Sequence, residues 1–437
     1  TDTMDYPRLQ VGAATGVSAT VYPPKQLGHE QASGFGFYRG PRYDWLSMIG
    51  SIQVPMPEGG GHVTLCSGSQ PPPHQPDGPD YGLGLATEFG CGVHGTICPM
   101  RDEGIDMQRH SKHAPPPPPA SDAHITNGVL GYGSAGPGGV FLKIGVGKLR
   151  RPALKKGNTK PDDGRLGYNI SYPYKIAEIP RSTVRTLNCS RFYPEAEAPS
   201  RCAPAMRWSG VEMGSTVRLG GWGYRVQRRV RPCGDPDGKL NAGALCVDMR
   251  LVNRGDQELT TPYAVGNLFN VQDAAAVGPG YGVSFAMPKA NQYKDVPDAR
   301  PLEAVAVLRL REDGKPSQVM FSREVPEYQR AMASFVVPRS QRKWSGGFSI
   351  DIPTETGHSV IVTHSMSEVK PAGTAGGVRG KAARYVRDPI ASHSWYGFNV
   401  HATKRAIAPR PYSLLTLPKG TSLEWTHRYD FSWRHDF

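Results

Sequence analysis

Residues 423–433 read Leu-Glu-Trp-Thr-His-Arg-Tyr-Asp-Phe-Ser-Trp, and the apolar or aromatic side chains fall on every second position. This period of two is that of a β-strand with one buried face. Segments of the same kind recur between Gly, Pro, Asn and Asp residues, at 140–149, 216–230, 244–252, 305–311, 348–352, 359–365 and 395–402. Amphipathic helices are hard to find, and the best short candidate is 324–334. The pattern predicts an all-β protein built as a large antiparallel sandwich.

The chain has 437 residues, of which 52 are Gly and 41 are Pro, scattered among the strand-like segments as turn residues would be. We interpret residues 1–437 as a single sandwich domain that contains one irregular insertion, residues 71–135, rich in Pro, Gly and His. Five consecutive prolines at 115–119 favour stiff polyproline II, which cannot enter the centre of a sheet. The His-rich stretch 108–113 is interpreted as a polar loop rather than a metal site, and the proline run as a docking surface for other proteins.

The charge balance is basic, since 51 Lys and Arg residues against 38 Asp and Glu residues give a net charge of +13. Such an excess favours an anionic partner, and a glycan with carboxylate or sulfate groups is the partner that we expect. Zinc-finger spacing, an RNP signature and a long basic helix are all missing from the sequence, so nucleic acid is not expected. No apolar run approaches 18 residues, so no membrane span is expected. The basic cluster 225–231 alternates as the solvated face of a strand would.

The cysteines indicate the compartment. There are seven: Cys66, Cys91, Cys98, Cys189, Cys202, Cys233 and Cys246. They form no CxxC motif, and their local spacing predicts the disulfides Cys189–Cys202 and Cys233–Cys246. The pairing among the first three stays open, with one cysteine left over. Two N-glycosylation sequons, at Asn169 and Asn188, point to the same oxidising environment. We therefore expect a secreted or lumenal glycoprotein.

Five blocks of sequence follow one another along the chain: residues 37–51, Glu88-Phe89-Gly90, residues 141–150, residues 251–255 and residues 417–431. In this order they resemble the blocks of a bacterial group of the aldose-epimerase (galactose mutarotase-like) superfamily. The first two are similar to its YRGTRFDW…IGS opening and to an acidic EFG element. The next two resemble an F-K-I-G-V-G-x-L strand and an L-x-N-x-G strand end, and the last resembles its closing pair of strands. The resemblance covers nearly the whole chain outside 71–135. It implies a β-supersandwich of stacked antiparallel sheets, in agreement with the strand pattern.

The resemblance also implies where the catalytic groups of a mutarotase belong. Such an enzyme needs a general base for the anomeric hydroxyl and an acid for the ring oxygen. The histidine position of the family's Y-x-H-N-F segment aligns with Gly266, and the glutamate of its P-E-P segment aligns with Arg410. Because arginine stays protonated, it cannot act as a base. The alignment therefore predicts a mutarotase-like scaffold with a degraded catalytic site.

Other polar residues are candidates for carbohydrate binding, since an Arg–Asp pair beside aromatic rings is usual in a sugar site. The candidates are Arg39, Arg42, Asp44, Trp45, Glu88, Asn267, His401 and Arg410. An equally good interpretation is that Tyr43 and Trp45 are core residues and that Arg42 and Asp44 form a buried structural pair. Glu424 and His427 lie three apart on a strand, so we expect them on opposite faces of the sheet and not as a dyad.

The sequence leaves three alternative functions open. The first is a non-catalytic module that binds glycan or builds an extracellular assembly, and it needs no cofactor and no metal. The second is an active carbohydrate epimerase or mutarotase with relocated acid and base. The third is a polysaccharide-cleaving enzyme on the same scaffold. Whether the protein is an enzyme is left open by the sequence, because function resides in the site and not in the fold.

Overall fold

The computed structural model describes part of the chain: residues 9–13, 16–22, 37–38, 48–57, 59, 61–65, 92–96, 129–131, 135, 138–145, 147–150, 174–178, 180, 182–188, 208–234, 240–269, 276–285, 291–293, 300–301, 304–310, 312, 316–326, 330–336, 347–367, 370–371, 393–404 and 406–435. These ranges contain β1 Leu9–Ala13, β2 Ser18–Tyr22, β3 Phe37–Tyr38, β4 Met48–Pro55, β5 His62–Leu65, β6 Gly92–Thr96, β7 Val129–Leu130, β8 Val140–Lys143, β9 Gly147–Arg150, β10 Tyr174–Glu178, β11 Ser182–Asn188, β12 Trp208–Leu219, β13 Trp222–Gly234, β14 Leu240–Asn253, β15 Leu259–Leu268, β16 Gly282–Phe285, β17 Asn291–Tyr293, β18 Arg300–Pro301, β19 Ala306–Leu310, β20 Pro316–Phe321, β21 Arg330–Val336, β22 Phe348–Pro353, β23 His358–Met366, β24 Lys370–Pro371, β25 His393–Thr403, β26 Ala406–Leu417 and β27 Ser422–His435.

The predicted fold class is confirmed, because the described residues form strands joined almost entirely by antiparallel pairs. The prediction of a short helix at 324–334 is wrong, since β21 begins at Arg330 and pairs with β17 and β25. Neighbouring strands supply the backbone hydrogen bonds there, and this overrides weak local propensity. Two strands, β6 and β7, also lie within the segment predicted to be irregular, 71–135.

The large sheet folds over into two layers. The first layer runs β11–β12–β13–β14–β27–β23–β22–β16–β20–β19 through antiparallel pairs. The second layer runs β4–β6–β15–β26–β25–β21 and joins the first through β2 and β1. A five-stranded sheet, β3–β10–β9–β8–β7, lies beside them.

Aromatic contacts between the layers mark the core. Phe398 of β25 lies 4.9 Å from Phe285 and 6.1 Å from Phe348 of the first layer, measured between ring centroids. Phe269, which directly follows β15, lies 6.3 Å from Tyr429 of β27. Because alternate residues of a strand point to opposite faces, the odd-numbered aromatic positions of residues 423–433 face this core, as their period of two predicts.

Two sequence blocks have structural roles. The side-chain amide of Asn253 in the L-x-N-x-G block donates to the carbonyls of Gln257 (2.7 Å) and Leu417 (3.0 Å), and its oxygen accepts from the amide of Gly255. This block therefore builds a turn and ties β14 to β26. In the basic cluster, Arg229 and Arg231 pair with Glu212 and Asp248 on the outer face of the first layer, as expected. Arg228 is the exception, since it is 1% exposed.

Candidate functional site

Five of the residues that sequence analysis proposed for carbohydrate binding lie outside the described residues. They are Arg39, Arg42, Asp44, Trp45 and Glu88. Their roles stay predictions. The remaining three, Asn267, His401 and Arg410, all lie on strands of the second layer.

The two positions that the resemblance identifies as catalytic lie on adjacent strands. Strands β15 and β26 pair from Leu259–Leu417 to Ala264–Tyr412, and a further bridge joins Phe269 to Ile407. Both pairings belong to one register, in which Gly266 stands directly opposite Arg410. Two residues that lie 144 positions apart in the chain, from 266 to 410, thus meet at one point of the sheet.

The backbone ladder between these two strands is interrupted at this point. Among the described residues, no backbone pairing joins residues 265–268 of β15 to residues 408–411 of β26. On their other edges both segments are paired, with β6 and β25 respectively. The two strands therefore part across Gly266 and Arg410.

A third residue, His94, joins the same row of the sheet. Strand β6 pairs with β15 from Thr96–Ala264 to Gly92–Leu268, and His94 stands opposite Gly266. Sequence analysis missed His94 because it lies within 71–135, where prolines on both sides hide a five-residue strand. The local signal is the run Gly92-Val93-His94-Gly95-Thr96, which is weak because it is short and two of its five residues are glycines.

On the far side of Arg410 the row continues to Asn399 of β25 and Ser334 of β21. His401 lies in the next row, opposite Ala408 and Met332. The register row His94–Gly266–Arg410–Asn399–Ser334, which we call the polar row, thus crosses five strands. It combines a histidine, an arginine, an amide and a hydroxyl residue around a glycine.

Asn267 is buried and hydrogen-bonded within the protein, and its role in carbohydrate binding stays a prediction. Its exposed fraction is 0%. Its amide nitrogen donates to the carbonyl of Pro409 at 2.9 Å, and its oxygen accepts from the hydroxyl of Tyr429 at 2.8 Å. Since alternate residues face opposite sides, Asn267 belongs to the core face of β15 and Gly266 to the other face.

A second buried polar group lies in the core of the first layer. The Nε2 atom of His364 lies 3.0 Å from Nδ1 of His427, and Trp425 Nε1 donates to Nε2 of His427 at 3.1 Å. His364 also stacks on Phe348, with ring centroids 4.6 Å apart. Glu424 is exposed and pairs with Arg250, so Glu424 and His427 do lie on opposite faces.

The predicted Cys233–Cys246 disulfide is formed, with the two Cα atoms 5.1 Å apart. Both cysteines are buried at the end of the β13–β14 pair. Cys189, Cys202 and Asn169 lie outside the described residues, and Asn188 is exposed at the end of β11. The sequence interpretation of an oxidising compartment thus has one disulfide in its favour.

No group of three or more His, Cys, Asp or Glu side chains in the described part of the chain could hold a metal ion. Among the same residues, no helix has the length and apolarity needed to cross a bilayer.

Neither a family model nor a curated protein matches the chain. Several solved structures are similar to the chain. The Slr1438 protein from Synechocystis sp. PCC 6803 is 10% identical, with a TM-score of 0.42, over 99% of this chain and 98% of that one. A galactose mutarotase-like protein from Clostridium acetobutylicum is 11% identical, with a TM-score of 0.39, over 98% of this chain and 94% of that one.

Proposed function

We propose that this protein is a secreted or lumenal, non-catalytic carbohydrate-binding protein, and that the polar row binds an anionic sugar residue. The observation that carries the proposal is the common register of Gly266 and Arg410 on neighbouring strands. An alignment made from sequence blocks alone had no reason to bring these two residues together. Their adjacency supports the alignment, and with it the loss of both catalytic groups.

Gly266 supplies the space for a ligand. It has no side chain, and its two neighbours in the row are His94 and Arg410. Neighbouring strands are about 4.8 Å apart, so β6 and β26 are at least about 9.5 Å apart. A gap of this width over a glycine can admit a sugar ring to the sheet surface.

Arg410 supplies the preference for an anion. A guanidinium is always charged at physiological pH and matches a carboxylate or sulfate with two parallel hydrogen bonds. The net charge of +13 favours the approach of the same ligands. Neither Gly266 nor Arg410 can exchange a proton with a sugar at neutral pH, so the two positions that carry the catalytic groups in the family do not catalyse here.

A second candidate function is an active epimerase, and one observation favours it. His94 stands opposite Gly266, one strand away from the position where the family has its histidine. Histidine is the side chain whose unperturbed pKa suits proton transfer near neutral pH. If His94 has taken over that role, Arg410 would hold an acidic sugar while His94 moves the proton.

Binding and catalysis can be tested separately. Isothermal titration with D-glucuronate and D-glucose should give tighter binding of glucuronate, and Arg410→Gln should reduce glucuronate affinity roughly 10- to 100-fold, as for loss of a charged hydrogen bond. Arg229→Gln is the matched control, because it removes the same charge from the first layer. Equal affinities of the wild type for the two sugars, or equal effects of the two variants, would contradict anion recognition by Arg410.

Polarimetry on freshly dissolved glucose, galactose and glucuronic acid tests the lack of catalysis. The wild type should not exceed the spontaneous rate. Loss of one general acid or base typically costs about 10²–10⁴-fold, so Gly266→His with Arg410→Glu should recover weak activity if the pocket is intact. A fast wild-type rate that His94→Gln abolishes would replace the non-catalytic proposal with the epimerase.

A further inference from the structure

Two prolines explain why β15 and β26 part at the polar row. Phe269 and Ile407 exchange two backbone hydrogen bonds, each 2.9 Å long. In an antiparallel ladder such pairs recur at every second residue, so the next two would be Asn267 with Pro409 and Val265 with Pro411. Proline has no backbone N–H, and each of these positions therefore lacks the donor on β26.

Asn267 replaces part of what the prolines remove. Its side-chain nitrogen donates to the carbonyl of Pro409 at 2.9 Å, across the gap between the two strands. Its oxygen is held at the same time by the hydroxyl of Tyr429 from the opposite layer, at 2.8 Å. Asn267 and Tyr429 are 0% and 1% exposed, so water does not compete for either bond.

From this arrangement we infer that Asn267 is a positioning residue, which sets the separation of Gly266 and Arg410 from the core side of the sheet. It is the chain neighbour of Gly266, and its partner Pro409 is the chain neighbour of Arg410. A single amide thus connects both sides of the gap, and Tyr429 fixes that amide to the first layer. This inference rests on the proposed function for its meaning in binding, but its structural part stands independently of any ligand.

Three variants separate the parts of the contact. Asn267→Leu removes both hydrogen bonds and keeps the number of side-chain heavy atoms and the branching at Cγ. Asn267→Asp keeps an acceptor for Tyr429 but turns a carboxylate oxygen towards the carbonyl of Pro409. Tyr429→Phe removes one hydroxyl and leaves the donor to Pro409 in place, so it should fold even if the others do not. Phe269→Leu is the control, because it perturbs the same buried face of β15 without touching Pro409.

The measurement without ligand is the rate of amide hydrogen exchange at Arg410. The variants are compared at denaturant concentrations that give them the same free energy of unfolding. The Arg410 amide should exchange at least about tenfold faster in Asn267→Leu and Asn267→Asp than in Phe269→Leu, because one buried hydrogen bond is lost. In Tyr429→Phe the increase in the exchange rate should be smaller. Equal exchange in all four variants would overturn the positioning role.

The ligand measurement is titration with D-glucuronate. The variants at Asn267 should weaken binding roughly tenfold, with the discrimination against glucose reduced, while Phe269→Leu keeps both. The contrary result is an Asn267 variant that shows fast exchange at Arg410 and still binds glucuronate with wild-type affinity and wild-type discrimination against glucose. That result would overturn the role of Asn267 in ligand recognition. If the wild type binds no glucuronate, the proposed function fails, and the exchange data still decide the structural part.

Discussion

His364 and His427 are joined by one hydrogen bond whose direction is fixed from outside the pair. Nε2 of His364 lies 3.0 Å from Nδ1 of His427, and the indole N–H of Trp425 occupies Nε2 of His427. Because tryptophan is only a donor, Nε2 of His427 must accept, and the proton of a neutral His427 lies on Nδ1. That proton is donated to His364, whose own proton is then on Nδ1.

This chain of hydrogen bonds has no place for an additional proton. A proton on Nε2 of either imidazole would face another N–H and break a buried hydrogen bond. Across the strand register His427 faces Val247 and Met366, and His364 faces Phe348 and Tyr429, none of which is charged at neutral pH. We therefore expect the folded state to keep both rings neutral, whereas histidines of the unfolded chain gain protons below about pH 6.5.

We accordingly predict acid lability. The unfolded state binds more protons below about pH 6.5, so the free energy of unfolding should fall as the pH is lowered from 7 to 5. Urea unfolding at a series of pH values measures this slope. His427→Phe should flatten this slope even if it lowers the free energy of unfolding at pH 7. An unaltered slope in His427→Phe would contradict the assignment.

The buried Tyr281 should make the free energy of unfolding depend on pH in the alkaline range. Burial raises its pKa from 10.0 to about 12. Below pH 10 the tyrosine is neutral in both the folded and the unfolded state, so its contribution to the free energy of unfolding is fully present. As the pH rises from about 10 to about 12, the unfolded state loses this proton first, and the contribution is lost. A shift of two units corresponds to at most about 2.7 kcal/mol. Unfolding monitored across this pH range should show a smaller loss of stability in Tyr281→Phe than in the wild type; parallel curves would exclude Tyr281 as the cause.

The disulfide between Cys233 and Cys246 closes a short loop, since the sequence separation is 13. Loops of this length contribute roughly 3 kcal/mol in the chain-entropy description. The double variant Cys233→Ala/Cys246→Ala should lose about that amount in chemical unfolding, and added reductant should affect only the wild type at this site. Mass spectrometry of non-reduced peptides checks the bond directly and tests the predicted Cys189–Cys202 pair. Free thiols at all four positions would remove the main argument for an oxidising compartment.

Glycosylation is expected at Asn188 if the protein is secreted by a eukaryote. The residue is exposed at the end of β11, and its sequon is Asn188-Cys189-Ser190. A surface position at a strand end is open to the transferase. Native peptides containing Asn188 or Asn169 should carry glycan masses that enzymatic deglycosylation removes. Unmodified peptides at both sites would argue against passage through a secretory route.

The sequence by itself determined the class of the fold and most of the strand positions. Residues 423–433 illustrate why: each side chain's face follows from its position along one strand, so alternation is readable without knowing any partner. The same locality explains the disulfide, because Cys233 and Cys246 close a short hairpin. It also explains the failure at 330–336, where strand partners distant in the chain decide the structure.

Only the tertiary structure decided which residues meet. The sequence could not show that Asn267 hydrogen-bonds to Pro409 and Tyr429, because these partners are 142 and 162 positions away. His94 entered the polar row through pairing with β15, although its own segment carried a weak strand signal. Strand register is set by long-range pairing and by packing of the two layers, and no local pattern encodes it.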